Sequence, residues 1–177
     1  MNVSKAISWR WAIPVVLVGW LFVVFGFSSQ PYQKQNLQPT LRKLISESTA
    51  ERIVPDITFR YHNGIVSGEQ DPYGFMEFII RKCAHLFEYG MLGILCYLLL
   101  FLIKKRVWRF GVALVLVAAA ALTDEWNQSH VAERTSAIQD VGVDLTGAIV
   151  AISLFLLVKR LVWGKMDRRM SIKQERK

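Results

Sequence analysis

Apolar residues in this chain are gathered into blocks rather than spread at amphipathic spacing. Four blocks carry very few charges: residues 11–27, 83–103, 107–123 and 141–158. Each is long enough to cross the roughly 30 Å hydrocarbon layer at about 1.5 Å per residue. The pattern therefore predicts an all-α integral membrane protein: one domain, built as a bundle of four transmembrane helices. Pro14 and Arg109 lie near block ends, where a proline is tolerated and an arginine can snorkel to the interface. Lys5 and Arg10 resemble the basic flank of a signal peptide. Phe27-Ser28-Ser29 is a poor cleavage site, however, and the run is longer than a usual signal core, so the first block reads as a retained helix.

The segments between the blocks are uneven. The stretch 28–80 is a long polar loop. Within it, 39–53 has the spacing of one weakly amphipathic helix, and 56–73 is turn-rich, irregular apart from room for a short hairpin. His62 falls in that turn and reads as solvated. From Pro72 the helical pattern runs unbroken to Ile103, longer than a membrane crossing needs, so its outer end should project or bend. The 124–139 connection is short enough to make the helices on either side antiparallel neighbours. Trp9, Trp11, Trp108, Trp126 and Trp163 stand near helix ends, as interfacial anchors do.

Charge then orients the chain. The formal net charge is +8. The segments before the first block, between the second and third together with Arg109 at the start of the third, and after the fourth hold fourteen basic and two acidic residues; the rest of the chain holds eight and twelve. By the positive-inside rule both termini and the 104–109 loop are cytoplasmic, and the basic tail 159–177 rests on anionic headgroups. Nothing in that tail offers base-reading or stacking elements, so a nucleic-acid partner is not expected. Cys83 and Cys96 lie in one helix, too far apart to pair, and read as small apolar residues. No cofactor motif is present in the sequence, and nothing in it fixes an oligomeric state.

The candidate chemistry gathers at the outer end. Arg81, Lys82, His85 and Glu88 enter the second block, with His85, Glu88 and Tyr89 on one face. Asp124, Glu125 and Gln128 close the third. Arg134, Asp140 and Asp144 precede and enter the fourth. Counting from the inner boundary puts Glu88 and Asp144 about one turn below the outer surface. A lipid-facing carboxylate is costly there, so both should face inward and find partners. Small residues lie beneath: Gly90 and Gly93, Ala118 to Ala121, and Gly147, Ala148 and Ala151. They let helices approach closely and would draw the polar ends together.

Three readings of this constellation follow. It forms an interhelical polar network that only fixes packing. Alternatively it is an outward-facing pocket for an anionic headgroup: Arg81, Lys82 and Arg134 bind the anion, with Glu88, Asp124, Gln128 and Asp144 lining the site. His85, Glu125 and Asp140 are then the candidate acid–base residues. The third reading, a divalent-metal site on His85, Glu88 and the aspartates, is disfavoured by the clustered cations, and no metal is expected. His130 reads as exposed, and no serine or cysteine nucleophile stands out.

The run Arg81-Lys82-x-Ala84-His85-x-x-Glu88-Tyr89-x-x-Leu92-Gly93, then Asp124-Glu125-x-x-Gln128, then Arg134-x₅-Asp140-x₃-Asp144-x-x-Gly147, resembles the VanZ-like family, as does Phe25-x-x-Ser28-Ser29-Gln30. Glu133 and Asp144 depart from the glycine and asparagine many members carry. The resemblance implies a small multi-pass protein of the bacterial cytoplasmic membrane and cell envelope, acting near membrane lipids or lipid-linked cell-wall precursors. It also implies a link to low-level teicoplanin resistance, without naming a reaction.

Overall fold

The computed structural model describes residues 3–62, 64–131 and 137–175, with side chains described between Trp11 and Val162. The chain is mostly helical. Helix α1 (Val3–Ser28) is followed by three short helices, α2 (Tyr32–Gln35), α3 (Gln38–Leu44) and α4 (Glu47–Ile53). A β-hairpin comes next, β1 (Thr58–Tyr61) antiparallel to β2 (Gly64–Ser67), and then the long helices α5 (Pro72–Leu99), α6 (Arg106–Gln128) and α7 (Ile138–Glu175).

Among the described residues three helical stretches are long and apolar enough to cross a membrane: Trp11–Ser28, Arg106–Gln128 and Ile138–Val162. Only 11%, 22% and 28% of their most apolar windows are buried within the protein. In a water-soluble helix the apolar face is the one that packs; here Phe22, Val115 and Leu154 point outward instead. Apolar surface on this scale needs a lipid solvent. Pro72–Leu99 is not among the three, because its first half is polar.

Helices α5 and α7 share the most extensive contact in the fold, and glycine makes it possible. A Cβ on Gly147 would lie 2.9 Å from the Leu86 Cα, and one on Gly93 would lie 2.9 Å from the Ala148 Cβ. Gly90 meets Ala151 in the same seam. Helix α6 closes the core with Ala113, Val117 and Ala121, one turn apart and fully buried, against Tyr89, Leu92, Ala148 and Ile152. Helix α1 joins through Val24 and through Trp20, whose indole packs edge-on to Phe87 and donates to the Glu88 carbonyl at 2.9 Å.

Several sequence boundaries shift. Helix α5 ends at Leu99, not Ile103, and Arg109 meets that end. Its guanidinium donates to the carbonyls of Tyr97 (2.5 Å) and Leu98 (3.2 Å), satisfying the helix end from the first turn of α6. The stretch 39–53 is two helices. The break at Ile45 is held by the Tyr73 hydroxyl, which donates to the Ile45 carbonyl at 2.8 Å. The hairpin does form, its tight turn taking His62 to φ 51°. Asp71 caps α5 by accepting from the Gly74 amide, with Pro72 in the first turn. Helix α7 runs on through most of the basic tail, about 57 Å in all.

The outer segment is tied down by a buried acid. Glu77 is 3% exposed and accepts from the Tyr32 hydroxyl, the Leu37 amide and the Gln38 side chain. Phe59 packs on Phe75 and Phe78, fixing the hairpin over the start of α5.

The seam gives a direct test. Gly147→Ala should lower stability by about 1–3 kcal/mol through overpacking against backbone. Gly111→Ala, where an added Cβ meets nothing within 4 Å, should be neutral or slightly stabilising. Thermal unfolding in detergent compares them; equal shifts would remove the seam from the account.

Candidate functional site

The start of α5, the last turn of α6 and the first turns of α7 meet at one end of the helices, beneath the 29–71 segment. Helix periodicity puts Arg81, His85 and Glu88 along one side of α5, with Lys82 beside them. Asp124 and Gln128 are one turn apart on α6, as are Asp140 and Asp144 on α7. The α5–α7 seam starts directly below, at Leu86 and Gly147, so it sets the distance between their polar residues.

The groups pair across helices. Lys82 donates to Asp140 Oδ1 at 2.5 Å, and the Tyr61 hydroxyl of the hairpin donates to the same oxygen. The Lys82 ammonium also lies 4.5 Å from the centre of the Tyr61 ring and 5.2 Å from that of Phe78. His85 Nδ1 is 3.1 Å from Asp144 Oδ1. Gln128 donates to Asp124 Oδ2 at 2.9 Å, and Glu125 accepts from the Ala137 amide at 2.7 Å, capping the entry to α7. Asp124 and Asp144 are each 1% exposed. Among the described residues, one oxygen of Asp144 has no hydrogen-bond partner, and the Tyr89 hydroxyl lies beside Asp124. Polar groups so buried are usual sites for ordered water.

Two clefts open onto this cluster. The inner one, about 320 Å³, runs between the end of α1 and α5; Phe27, Ser28, Lys34, Ile80, Glu88 and Asp124 are among its walls. The outer one, about 470 Å³, lies under the hairpin and is bordered by Tyr61, Ser67, Glu77, Phe78, Lys82 and Asp140. Arg81, His85 and Gln128 line both and form the wall between them. Among the described residues, neither Lys34 nor Arg81 has a carboxylate within ion-pairing distance; the Arg81 guanidinium sits 5.5 Å from the Tyr32 ring centre.

Of the residues singled out from sequence, Arg81, Lys82, His85, Glu88, Asp124, Gln128 and Asp140 border a cleft. Asp144 stands behind His85 as its partner. Glu125 lies behind the cleft walls as a capping group. Arg134 lies outside the described residues. His62 borders the outer cleft rather than standing in solvent alone, and His130 is exposed, its Nδ1 2.8 Å from the Trp126 carbonyl. Sequence reasoning passed over Lys34, Tyr32, Tyr61 and Glu77. They belong to the 29–80 stretch, whose fold is set by contacts to α5 rather than by a local pattern.

Outside the helical spans, burial first and the Asp140 hydrogen bond second hold the Tyr61 phenol well above its ordinary value near 10; burial and Glu77 raise Tyr32 likewise. A raised folded-state value means the Tyr61 contribution is complete below pH 10 and is lost as pH climbs through that higher value. Ultraviolet titration of the protein, minus that of Tyr61→Phe, should therefore show no tyrosine ionising near pH 10. Lys82→Met, which strips Asp140 of its cation, should loosen the hairpin by about 1–3 kcal/mol. Limited proteolysis within 56–71 would report it, and an unchanged cleavage rate would mean that the latch does not hold the hairpin.

No curated protein and no solved structure matches the chain significantly. Residues 14–159, which take in α5, α6 and the start of α7 that carry the cluster, match the VanZ/LLP1 family. The chain is a helical membrane protein with its polar residues collected at one end of the helices, and it belongs to the VanZ/LLP1 family.

Proposed function

We propose that this VanZ-family protein holds the anionic headgroup of a lipid, with a lipid-linked cell-wall precursor as the leading case. The site lies at the outer leaflet of a bacterial cytoplasmic membrane. In this reading α5 is a fourth crossing beside α1, α6 and α7, both termini are inside, and the two clefts open outward. The observation that carries the proposal is a pair of cations, Lys34 and Arg81, in the walls of the inner cleft, neither with a carboxylate within ion-pairing distance among the described residues. Cations in a membrane protein that lack a carboxylate partner await an anion, and a guanidinium suits the oxygens of phosphate. Phe27 and Ile80 stand exposed on the same cleft, suited to the first carbons of an acyl or prenyl chain. Arg134 would add a further cation.

His85 is the acid–base candidate. Asp144 orients its imidazole through Nδ1, which leaves the ring between the two clefts. Glu125 and Asp140, engaged by Ala137 and by Lys82, serve better as scaffold. The family resemblance extends the reading to glycopeptide susceptibility, teicoplanin above all, as the phenotype to follow.

A second, non-enzymatic reading has its own support: Lys82 with Asp140 and His85 with Asp144 pair across helices, Gln128 satisfies Asp124 within α6, and together they would hold the assembly without any ligand.

Native mass spectrometry of the gently extracted protein separates the two. On the ligand reading, Lys34→Ala and Arg81→Ala lose a co-purifying anionic lipid while the melting temperature barely changes. Retention of that lipid by both variants would sink the site. A cysteine placed at residue 65 that reacts only from the side of the C-terminus would sink the orientation.

A further inference from the structure

We propose that the anion of the inner cleft arrives sideways from the bilayer, with a hydrocarbon chain of the same lipid lying in an apolar track between α1 and α5. The inference rests on the anion-holding reading above and adds the seat of the chain.

Phe27 of α1 and Ile80 and Ala84 of α5 line the inner cleft, and each belongs to a strip that leads away from it. On α5, Ile80, Ala84 and Phe87 follow one another at i, i+4 and i+7, the spacing of one helix face. On α1, Trp20, Val23 and Phe27 do the same at i, i+3 and i+7. The two strips converge where the rings of Trp20 and Phe87 meet edge-on, their centroids 6.1 Å apart. From Ile80 to Phe87 the track is about 10 Å long. Val23, Phe27, Ile80, Ala84 and Phe87 are all exposed, so the protein itself leaves the track uncovered.

Trp20 marks the track as a place for hydrocarbon. Trp11, Trp108 and Trp126 stand at the ends of apolar spans, where an indole can reach the interface, but Trp20 lies in the middle of one. An indole at that depth needs an internal acceptor for its N–H. The Glu88 carbonyl supplies it at 2.9 Å, which leaves the carbon surface of the ring for the track. Helix α1 is also the least covered of the three apolar spans, with 11% of its most apolar window buried. A chain can therefore enter beside it without parting packed helices. Moving from bilayer to track brings no hydrophobic gain, because lipid tails are as apolar as the protein surface. The cations of the cleft supply the preference, and the track aligns the chain beneath them. A soluble phosphate would leave the track empty.

The test places the full chain in phosphatidylcholine bilayers and adds phosphatidic acid brominated on its acyl chains, a quencher of tryptophan fluorescence. The Trp20 signal is the difference between the protein and Trp20→Phe. Phe87→Trp in the Trp20→Phe background is an independent reporter at an exposed position. Brominated phosphatidic acid should half-quench both reporters at roughly one-tenth the mole fraction that brominated phosphatidylcholine requires. That tenfold is the gain of one charge-assisted hydrogen bond to the headgroup. Lys34→Ala and Arg81→Ala should each reduce the preference. Equal quenching by the two lipids, in a protein that still retains phosphatidic acid in native mass spectrometry, overturns the track while the anion site stands. A preference that persists in both alanine variants separates the track from the cleft and overturns the proposal as well. Failure to retain phosphatidic acid at all overturns both the track and the anion site.

Discussion

The close approach of α5 and α7 is the constraint on which the rest of this structure depends. With Gly147 against the Leu86 backbone and Gly93 against Ala148, the two helices come near enough for short carboxylates on one to reach side chains on the other. Aspartate has little reach. Asp140 and Asp144 meet Lys82 and His85 because the backbones below them already touch. In a lipid solvent the seam cannot rely on hydrophobic exclusion and must be held by van der Waals fit. A methyl group at its tightest point would therefore disturb both the packing and the polar cluster above it.

The cluster resolves the cost of placing acids in such a setting by pairing them. Asp140 is met by Lys82 and Tyr61, Asp144 by His85, Asp124 by Gln128, and Glu125 by the Ala137 amide. Such pairs contribute little net stability, but breaking one leaves a buried charge uncompensated. The scaffold and ligand readings thus concern different residues. The paired acids hold the walls; Lys34, Arg81 and the imidazole of His85 face the space between them. Asp144, which lines neither cleft, stands behind His85 and bears on them through the ring it orients.

The 29–71 segment completes the site from outside the long helices. Glu77 gathers Tyr32, Leu37 and Gln38 around the start of α5, and Phe59 seats the hairpin on Phe75 and Phe78. Tyr61 then reaches Asp140, which lies 79 positions away in the chain, and Lys34 is carried to the inner cleft. Without this segment the polar ends of the helices would be an open surface rather than two clefts with a common wall.

Sequence alone determined the membrane character, because apolar runs of crossing length leave lipid as the only fitting solvent; it counted four such runs, of which the structure shows three as helices apolar enough to cross. It also determined which helix ends carry the polar residues, since helical periodicity fixes the faces of His85 and Glu88, of Asp124 and Gln128, and of Asp140 and Asp144. The glycines and alanines of the seam were legible for the same reason. Only the tertiary structure decided who pairs with whom: that His85 takes Asp144 and not Glu125, that Lys82 belongs to Asp140, and that Arg109 caps α5. It alone brought Lys34 and Tyr61 to the clefts. Pairing across helices depends on their separation and rotation, which are set by side-chain fit between distant segments and leave no periodic trace in the chain.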